Sequence, residues 1–288
     1  MGQIDDLWRY DGRRVVVTGC ASGIGEHVAA QLAELGAEVV GLDIRAREER
    51  NSQSRPAAAL KEFHEVDLSD EASIDQAVAV IGGQVDALFN VAGVSSGIGD
   101  PLRVVTINFL GTRHFTESLI PLMPAGSAIA NVSSLAASAY RENATVTAGL
   151  LDTATMAEGL QWCERNPDPV KDGGGYRLSK EALILYGMAN VGALGAKGIR
   201  INCTAPGVTD TPILDQLRSA YGQGFLDSFA TPLGRSACPQ EQASVLIFLN
   251  SAAAQYITGQ VIWVDGGAVA ERVFGDISDE RAKHGRPE

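Results

Sequence analysis

The strongest constraint on this chain is a set of short, β-branched runs that are apolar at consecutive positions rather than alternate ones. Val15–Val17, Val39–Leu42, Ala87–Val91, Ala128–Val132, Ile199–Cys203 and Val261–Val264 read this way, bounded by Gly, Asp or Asn. A strand apolar on both faces is buried on both faces, so its sheet must be covered by helices on each side. Segments of helical period lie between the runs: Ile24–Leu35, with Ile24, Val28, Leu32 and Leu35 on one stripe, then Ser73–Ile81, Val104–Leu119, Ser179–Ala193 and Gln240–Leu249. Strand alternating with helix builds right-handed βαβ units, and the expectation is an α/β, doubly wound parallel sheet of about seven strands.

Composition narrows the function classes. The 288 residues are 45% hydrophobic and 20% charged, ordinary for a soluble globular protein. With no Pro/Ser-rich linker to divide it, the chain reads as one domain over 1–288. A net charge of −12, with no long basic run, argues against nucleic acid or an anionic membrane as partner. Cys20, Cys163, Cys203 and Cys238 are scattered without zinc spacing, so free thiols and no metal site are expected. The acidic start MGQIDDLWRYDGRR is not expected to act as a signal peptide, and no apolar run is long enough to span a membrane as a helix. A cytoplasmic location is the default expectation. Arg45–Pro56 reads as a loop, Leu135–Gly175 as an insertion, and Ala268–Glu288 as a polar, flexible tail.

Val15–Val17 runs directly into Thr18-Gly19-Cys20-Ala21-Ser22-Gly23-Ile24-Gly25 and then into the first helix. In that setting Gly19 permits a tight turn, Gly23 lets the backbone approach a pyrophosphate, and Gly25 lets helix and strand pack closely. The helix N-terminus offers N–H donors to the phosphates. This Rossmann-type arrangement implies a dinucleotide. Asp43 ends the second strand, where a carboxylate accepts both ribose hydroxyls of NAD and repels the 2′-phosphate of NADP. Arg45 and Arg47 follow closely, so NAD is favoured over NADP without NADP being excluded. Asp67 and Leu68, in EVDLSD, fall where adenine would be met. Asn90-Val91-Ala92-Gly93 ends a further strand with small residues that leave room for the cofactor.

Tyr176 and Lys180 stand at i and i+4 at the start of a helical segment, on one face. A tyrosine titrates near 10, too high for a general base at neutral pH, but a neighbouring ammonium stabilises the phenolate. Tyr176 can then take a proton from an alcohol or give one to a carbonyl.

In order along the chain come the Thr18–Gly25 motif, NVAG, Asn108 in INFLG, Ser133-Ser134 after a strand, Tyr176-x-x-x-Lys180 and Pro206-Gly207. Together they resemble the short-chain dehydrogenase/reductase family from about Gly12 to Gly267. The resemblance implies a catalytic set in which Ser134, more than Ser133, holds the substrate oxygen. Tyr176 is the acid/base, Lys180 its activator and the holder of the nicotinamide ribose, and Asn108 keeps a relay water. It further implies that Pro206 and Val208 flank the nicotinamide, that Thr211 binds its carboxamide, and that Asp265-Gly266-Gly267 closes the last strand. With Gly19, Ser22, Gly23, Ile24, Gly25, Asp43, Ile44, Asp67, Leu68, Asn90, Ala92 and Gly93, these complete the cofactor-binding candidates. NVAG stands where the family usually has NNAG; Asn90 is retained.

Ser134 and Tyr176 are 42 positions apart, a wider gap than the family's usual one. Val146, Leu150, Ala154, Ala157 and Leu160 recur near helical period, so one or two helices are expected there. Two bacterial subgroups share such an insertion. The 3α-hydroxysteroid dehydrogenase/carbonyl reductase group is echoed in GCASGIG, GLDIR and Pro239 to Gly267. The coniferyl-alcohol dehydrogenase group is echoed in DALFNVAGVSSGIGDP, LQWCERNP, SKEALI and INCTAPGVTDTPIL. The resemblance implies a homodimer through the C-terminal face, with a tetramer the alternative; the segment's place immediately before Tyr176 implies that substrate access and subunit packing both depend on it. Ile213, Leu214, Leu217, Tyr221, Phe225, Leu226 and Phe229 would form an apolar lid. The expected activity is alcohol–carbonyl interconversion on a bulky apolar substrate, a 3α-hydroxysteroid first and an aryl or allylic alcohol second. A non-catalytic dinucleotide sensor, or a lyase or epimerase on a similar fold, are the other classes.

Overall fold

A computed structural model describes residues 4–44, 60–171, 173–227, 229 and 231–284. Strand β1 (Arg14–Thr18) leads to helix α1 (Gly23–Glu34), β2 (Glu38–Asp43), β3 (Glu62–Glu65), α2 (Glu71–Ile81) and β4 (Ala87–Asn90). Next come α3 (Pro101–Val105), a π-helical segment Thr106–Gly111, α4 (Thr112–Leu119) and β5 (Ala128–Val132). Helices α5 (Ala144–Leu151) and α6 (Met156–Arg165) precede the long α7 (Gly174–Gly195) and β6 (Arg200–Pro206). The chain continues through α8 (Pro212–Tyr221), α9 (Gln223–Asp227), α10 (Pro239–Asn250), β7 (Val261–Val264) and α11 (Ala268–His284).

The seven strands are all parallel, in the order β3-β2-β1-β4-β5-β6-β7. Side chains alternate between two separate cores, which is why the strands read as continuously apolar. Val15, Val17, Val39 and Phe89 pack with Val28 and Leu32 of α1 and Leu246 of α10. Val16, Val40, Leu88 and Ile129 point the other way, toward Ile74 of α2, Phe115 of α4 and Leu183 of α7. Chain order reverses between β1 and β4. Ligands of such sheets sit beyond the carboxyl ends of the strands at that switch point.

Three elements differ from the sequence reading. The edge strand β3 has the sequence EFHE and is only partly buried, so it carries no two-faced apolar signature. The helix expected over Val104–Leu119 begins earlier and widens at Thr106–Gly111. There a Cβ at Gly111 would stand 1.8 Å from the Leu68 carbonyl oxygen, so this turn lies directly against the backbone after β3. Over the expected flexible tail the chain forms α11 as far as His284, started by Asp265, whose carboxylate accepts Gly267 N–H at 3.0 Å and Val269 N–H at 2.8 Å. The Arg45–Pro56 loop, with Arg45 and Arg47, lies outside the described residues.

The insertion is two helices packed into the second core. Leu150, Met156 and Cys163 are buried there. A Cβ at Gly159 of α6 would come within 2.4 Å of Leu110, so α6 lies close on the π-helical segment. Arg113 of α4 is buried without a carboxylate partner among its hydrogen bonds. It donates to the carbonyls of Thr153 (2.6 Å) and Thr155 (3.3 Å), between α5 and α6, and lies over the Phe109 ring. The insertion is therefore seated on the elements that carry Asn108 and Tyr176, not draped over the surface.

Candidate active site

Two glycines shape the loop between β1 and α1. Gly19 has φ 71° and faces the end of β4 so closely that a Cβ would lie 2.7 Å from Ala92 Cα. A Cβ at Gly25 would stand 2.1 Å from the Gly19 carbonyl oxygen. Thr18, which the sequence reading passed over, ties the loop to the switch point: its Oγ1 accepts the N–H groups of Val91 and Ala92, both at 3.1 Å. Its signal was there, a hydroxyl residue opening the glycine motif.

The side chain of Ser22, the N-cap of α1, makes no capping bond, so the first N–H donors of α1 stay available at a cleft of about 390 Å³. Gly19, Ser22, Gly23, Ile24 and Gly25 line that cleft, followed by Asp43, Ile44, Asp67 and Leu68. Asp43 accepts the Ala21 N–H at 2.8 Å, which fixes its carboxylate relative to the phosphate loop. Asp67 turns one oxygen back to the N–H and Oγ of Ser69, at 2.8 and 2.6 Å. Uncapped helix donors, a fixed carboxylate at the end of β2 and an apolar floor suit an adenine dinucleotide in order of its parts.

The far end holds Ala92, Gly93, Ser134, Tyr176, Lys180, Pro206, Val208 and Thr211. Asn90 departs from the expectation. Its side chain is buried, with Nδ2 donating to Thr116 and Asn131, both at 2.8 Å, so that side chain braces the sheet and does not line the cleft. Asn108 is also fully buried behind the wall. Its side chain pairs in both directions with the Val94 backbone, at 2.8 and 2.9 Å, so that side chain holds the strand-end turn.

Tyr176 and Lys180 share the cleft-facing side of α7, with Lys180 Nζ 5.8 Å from the Tyr176 ring centre. The Lys180 side chain is buried and donates to the Val132 carbonyl at 2.9 Å, and Ser133 Oγ donates to the Lys180 carbonyl at 2.7 Å. Burial pushes the Lys180 ammonium down to about 8, while Cys203 beneath it acts the other way. Burial raises the Tyr176 phenol, and its hydrogen bond with Ser134 lowers it. Within the chain, then, Ser134 is the tyrosine's immediate partner, and Lys180 acts from farther away than the i, i+4 spacing suggests.

Above this end lie α8 and α9. Ile213, Leu214, Leu217, Phe225, Leu226 and Phe229 line the cleft as expected. Tyr221 does not; its hydroxyl donates to the Ser96 carbonyl at 3.3 Å and its ring packs 4.9 Å from Phe225. Ser96, Leu135, Ala136 and Gln216 also line the cleft, which the sequence reading did not name. Helices α5 and α6 contribute nothing to the lining. Of the insertion's described residues, Leu135 and Ala136 line the cleft, and α5 and α6 reach the chemistry through α7. Among the described residues, no helix is long and apolar enough to cross a membrane, and no His, Cys, Asp or Glu group could hold a metal ion. All four cysteines are free thiols.

The family profile described as short chain dehydrogenase matches residues 13–148, and one described as enoyl-(acyl carrier protein) reductase matches 169–269. Coniferyl-alcohol dehydrogenase of Pseudomonas sp. (strain HR199 / DSM 7063) is 32% identical over 91% of this chain and 98% of its own length. The 3-alpha-hydroxysteroid dehydrogenase/carbonyl reductase of Comamonas testosteroni is 30% identical over 88% of this chain and 95% of its own. Among solved structures, the 3-alpha-hydroxysteroid dehydrogenase of Pseudomonas sp. B-0831, complexed with NADH, is similar at a TM-score of 0.75. Its identity is 30%, over 90% of this chain and 98% of that one.

Proposed function

This chain belongs to the short-chain dehydrogenase/reductase family, and from that premise we propose that it is an NAD-dependent enzyme interconverting a bulky, uncharged alcohol and its carbonyl compound. The observation that carries the reading is the meeting of Tyr176, Ser134 and Lys180 on one wall of the cleft, at the junction between its dinucleotide end and its apolar lid. A nicotinamide dinucleotide supplies the hydride acceptor or donor when bound. Ser134 orients the substrate oxygen, and Tyr176 removes the hydroxyl proton or returns it in the reverse direction. Lys180 contributes positive charge beside the phenol and a donor for the ribose. Asn108 is the positioning residue behind them, setting the Val94 turn. Asp43 selects NAD by accepting the ribose hydroxyls.

Lys180, Asp43 and Asp67 are the only charged side chains lining the cleft among the described residues, and both carboxylates lie at its dinucleotide end. Among the described residues no basic side chain of the lid lines the cleft, Arg218 of α8 being paired with Asp215 instead, which favours a neutral substrate. The aliphatic row Ile213, Leu214 and Leu217 suits a fused-ring alcohol such as a 3α-hydroxysteroid. Phe225 and Phe229, with ring centres 5.0 Å apart, favour a second reading in which a flat aryl or allylic alcohol packs against them. The C-terminal face leaves Leu233, Val273, Phe274 and Ile277 exposed and supports a homodimer there.

The test is a panel of 3α-hydroxysteroids, coniferyl and benzyl alcohols and simple secondary alcohols, with NAD and NADP, followed by NADH or NADPH absorbance. Turnover with NAD on a bulky neutral alcohol, lost in Tyr176→Phe, is the expected result. Full activity in Tyr176→Phe would refute the mechanism.

A further inference from the structure

Glu181 directly follows Lys180 on α7, and its side chain is 0% exposed. A carboxylate is costly to bury unless neighbours satisfy it. Here the donors come from the insertion and from the neighbouring turn of α7. Asn143, the N-cap residue of insertion helix α5, donates Nδ2 to Oε1 at 2.6 Å. Thr147, one turn into α5 and fully buried, donates to Oε2 at 3.4 Å. Arg177, one turn back along α7, meets both oxygens at 3.2 Å. The first turn of α5 thus holds the carboxylate through two side chains, Asn143 and Thr147.

An α-helix turns about 100° per residue, so Arg177 and Glu181 form a stripe beside that of Tyr176 and Lys180. One stripe grips the insertion and the other faces the cleft. Fixing the first therefore fixes the rotation of α7, and with it the reach of Tyr176 to Ser134 and of Lys180 to the Val132 carbonyl. We propose that Glu181 is a positioning residue for the reaction: the insertion acts as an external clamp, through the Asn143–Glu181–Arg177 cluster, that sets the rotational seat of the active-site helix. This rests on the catalytic reading of Tyr176 given above.

The experiment compares steady-state kinetics and thermal stability for the wild type, Asn143→Ala, Glu181→Gln and the apolar pair Arg177→Met/Glu181→Leu. A misplacement of about 1 Å at reacting groups can cost up to roughly 100-fold in rate. Asn143→Ala is expected to lower kcat by about tenfold with the dinucleotide KM unchanged, and Glu181→Gln by more. The apolar pair removes the buried charge and its partner together, so its Tm should return toward wild type. Its kcat should stay low, because no directional bonds replace the clamp. A kcat that recovers together with Tm in the apolar pair, or an unaltered kcat in Asn143→Ala, would overturn the proposal. Should Glu181→Gln fail to fold, Asn143→Ala decides. Tyr176→Phe in the same assay separates the two ideas: an inactive Tyr176→Phe beside a fully active Asn143→Ala rejects the clamp alone, whereas an active Tyr176→Phe rejects the catalytic reading.

Discussion

Lys180 makes the site hold a charge against the preference of its surroundings, and Lys180→Met measures how strongly. Burial lowers its pKa from 10.5 to about 8. At roughly 1.36 kcal/mol per unit, that gap destabilises the folded protein by about 3 kcal/mol wherever the lysine is charged in both states. The Val132 carbonyl loses its donor in the variant, which costs about 1–3 kcal/mol. Lys180→Met at pH 7 should therefore be as stable as wild type or more stable by up to about 2 kcal/mol, despite losing turnover. The pH dependence is the sharper test. Between pH 8 and 10.5 the unfolded chain binds the proton that the folded chain has released, so stability of the wild type rises with pH relative to the variant. The penalty is fully present below pH 8 and gone above 10.5; about 2 kcal/mol of it should disappear between pH 7 and 9.5. Urea denaturation of both proteins at those two pH values reads the difference directly, with other titrating groups cancelling. A wild-type-minus-variant difference that stays flat, or changes in the opposite sense, would show that Lys180 is not held as a desolvated ammonium.

Three further outcomes follow from the site and the exposed face. Ser134→Ala should lower kcat about 100-fold and move the rising limb of the oxidation pH profile upward, since it removes the bond that holds the Tyr176 phenol down against burial; an unmoved limb would contradict this. Asp43→Ala removes the acceptor of the Ala21 N–H as well as the expected ribose partner. Its kcat/KM with NAD should drop roughly 10- to 100-fold and the preference for NAD over NADP should shrink; an unchanged ratio excludes Asp43 as the selector. Phe274→Asp, placed on the exposed side of α11, should convert a homodimer to monomer by sedimentation velocity. A wild type that sediments as a monomer, or a variant that remains dimeric, counts against that face.

Much of the architecture was legible because burial on both faces leaves a one-dimensional trace. Val15, Val16 and Val17 announce two cores, and Gly19 and Gly25 announce a backbone contact that admits no Cβ. What the chain hides is what depends on neighbours distant in sequence. EFHE becomes β3 only because β2 offers it an edge. Asn90 sits in a motif that touches the cleft, yet strand pleating turns its side chain down to Thr116 and Asn131. Tyr176 and Lys180 share a helix face, but the carbonyl that draws Lys180 Nζ away belongs to β5. Glu181 carries no mark in the helical segment of its burial, which depends on Asn143 and Thr147 of the insertion.

The seating of α5 and α6 also bears on how this architecture can be cut and recombined. Their attachment runs through sockets outside the insertion itself: the Arg113 guanidinium, the Leu110 surface that meets Gly159, and Glu181 on α7. Deleting residues 135–175 would strand a buried guanidinium and a buried carboxylate together. Grafting the same segment onto a sister scaffold would leave its Thr153 and Thr155 carbonyls without a donor and Asn143 without its acceptor. The exchangeable unit is therefore a discontinuous set of positions spanning 110 to 181, and a loop swap that respects only chain continuity should yield protein that does not fold.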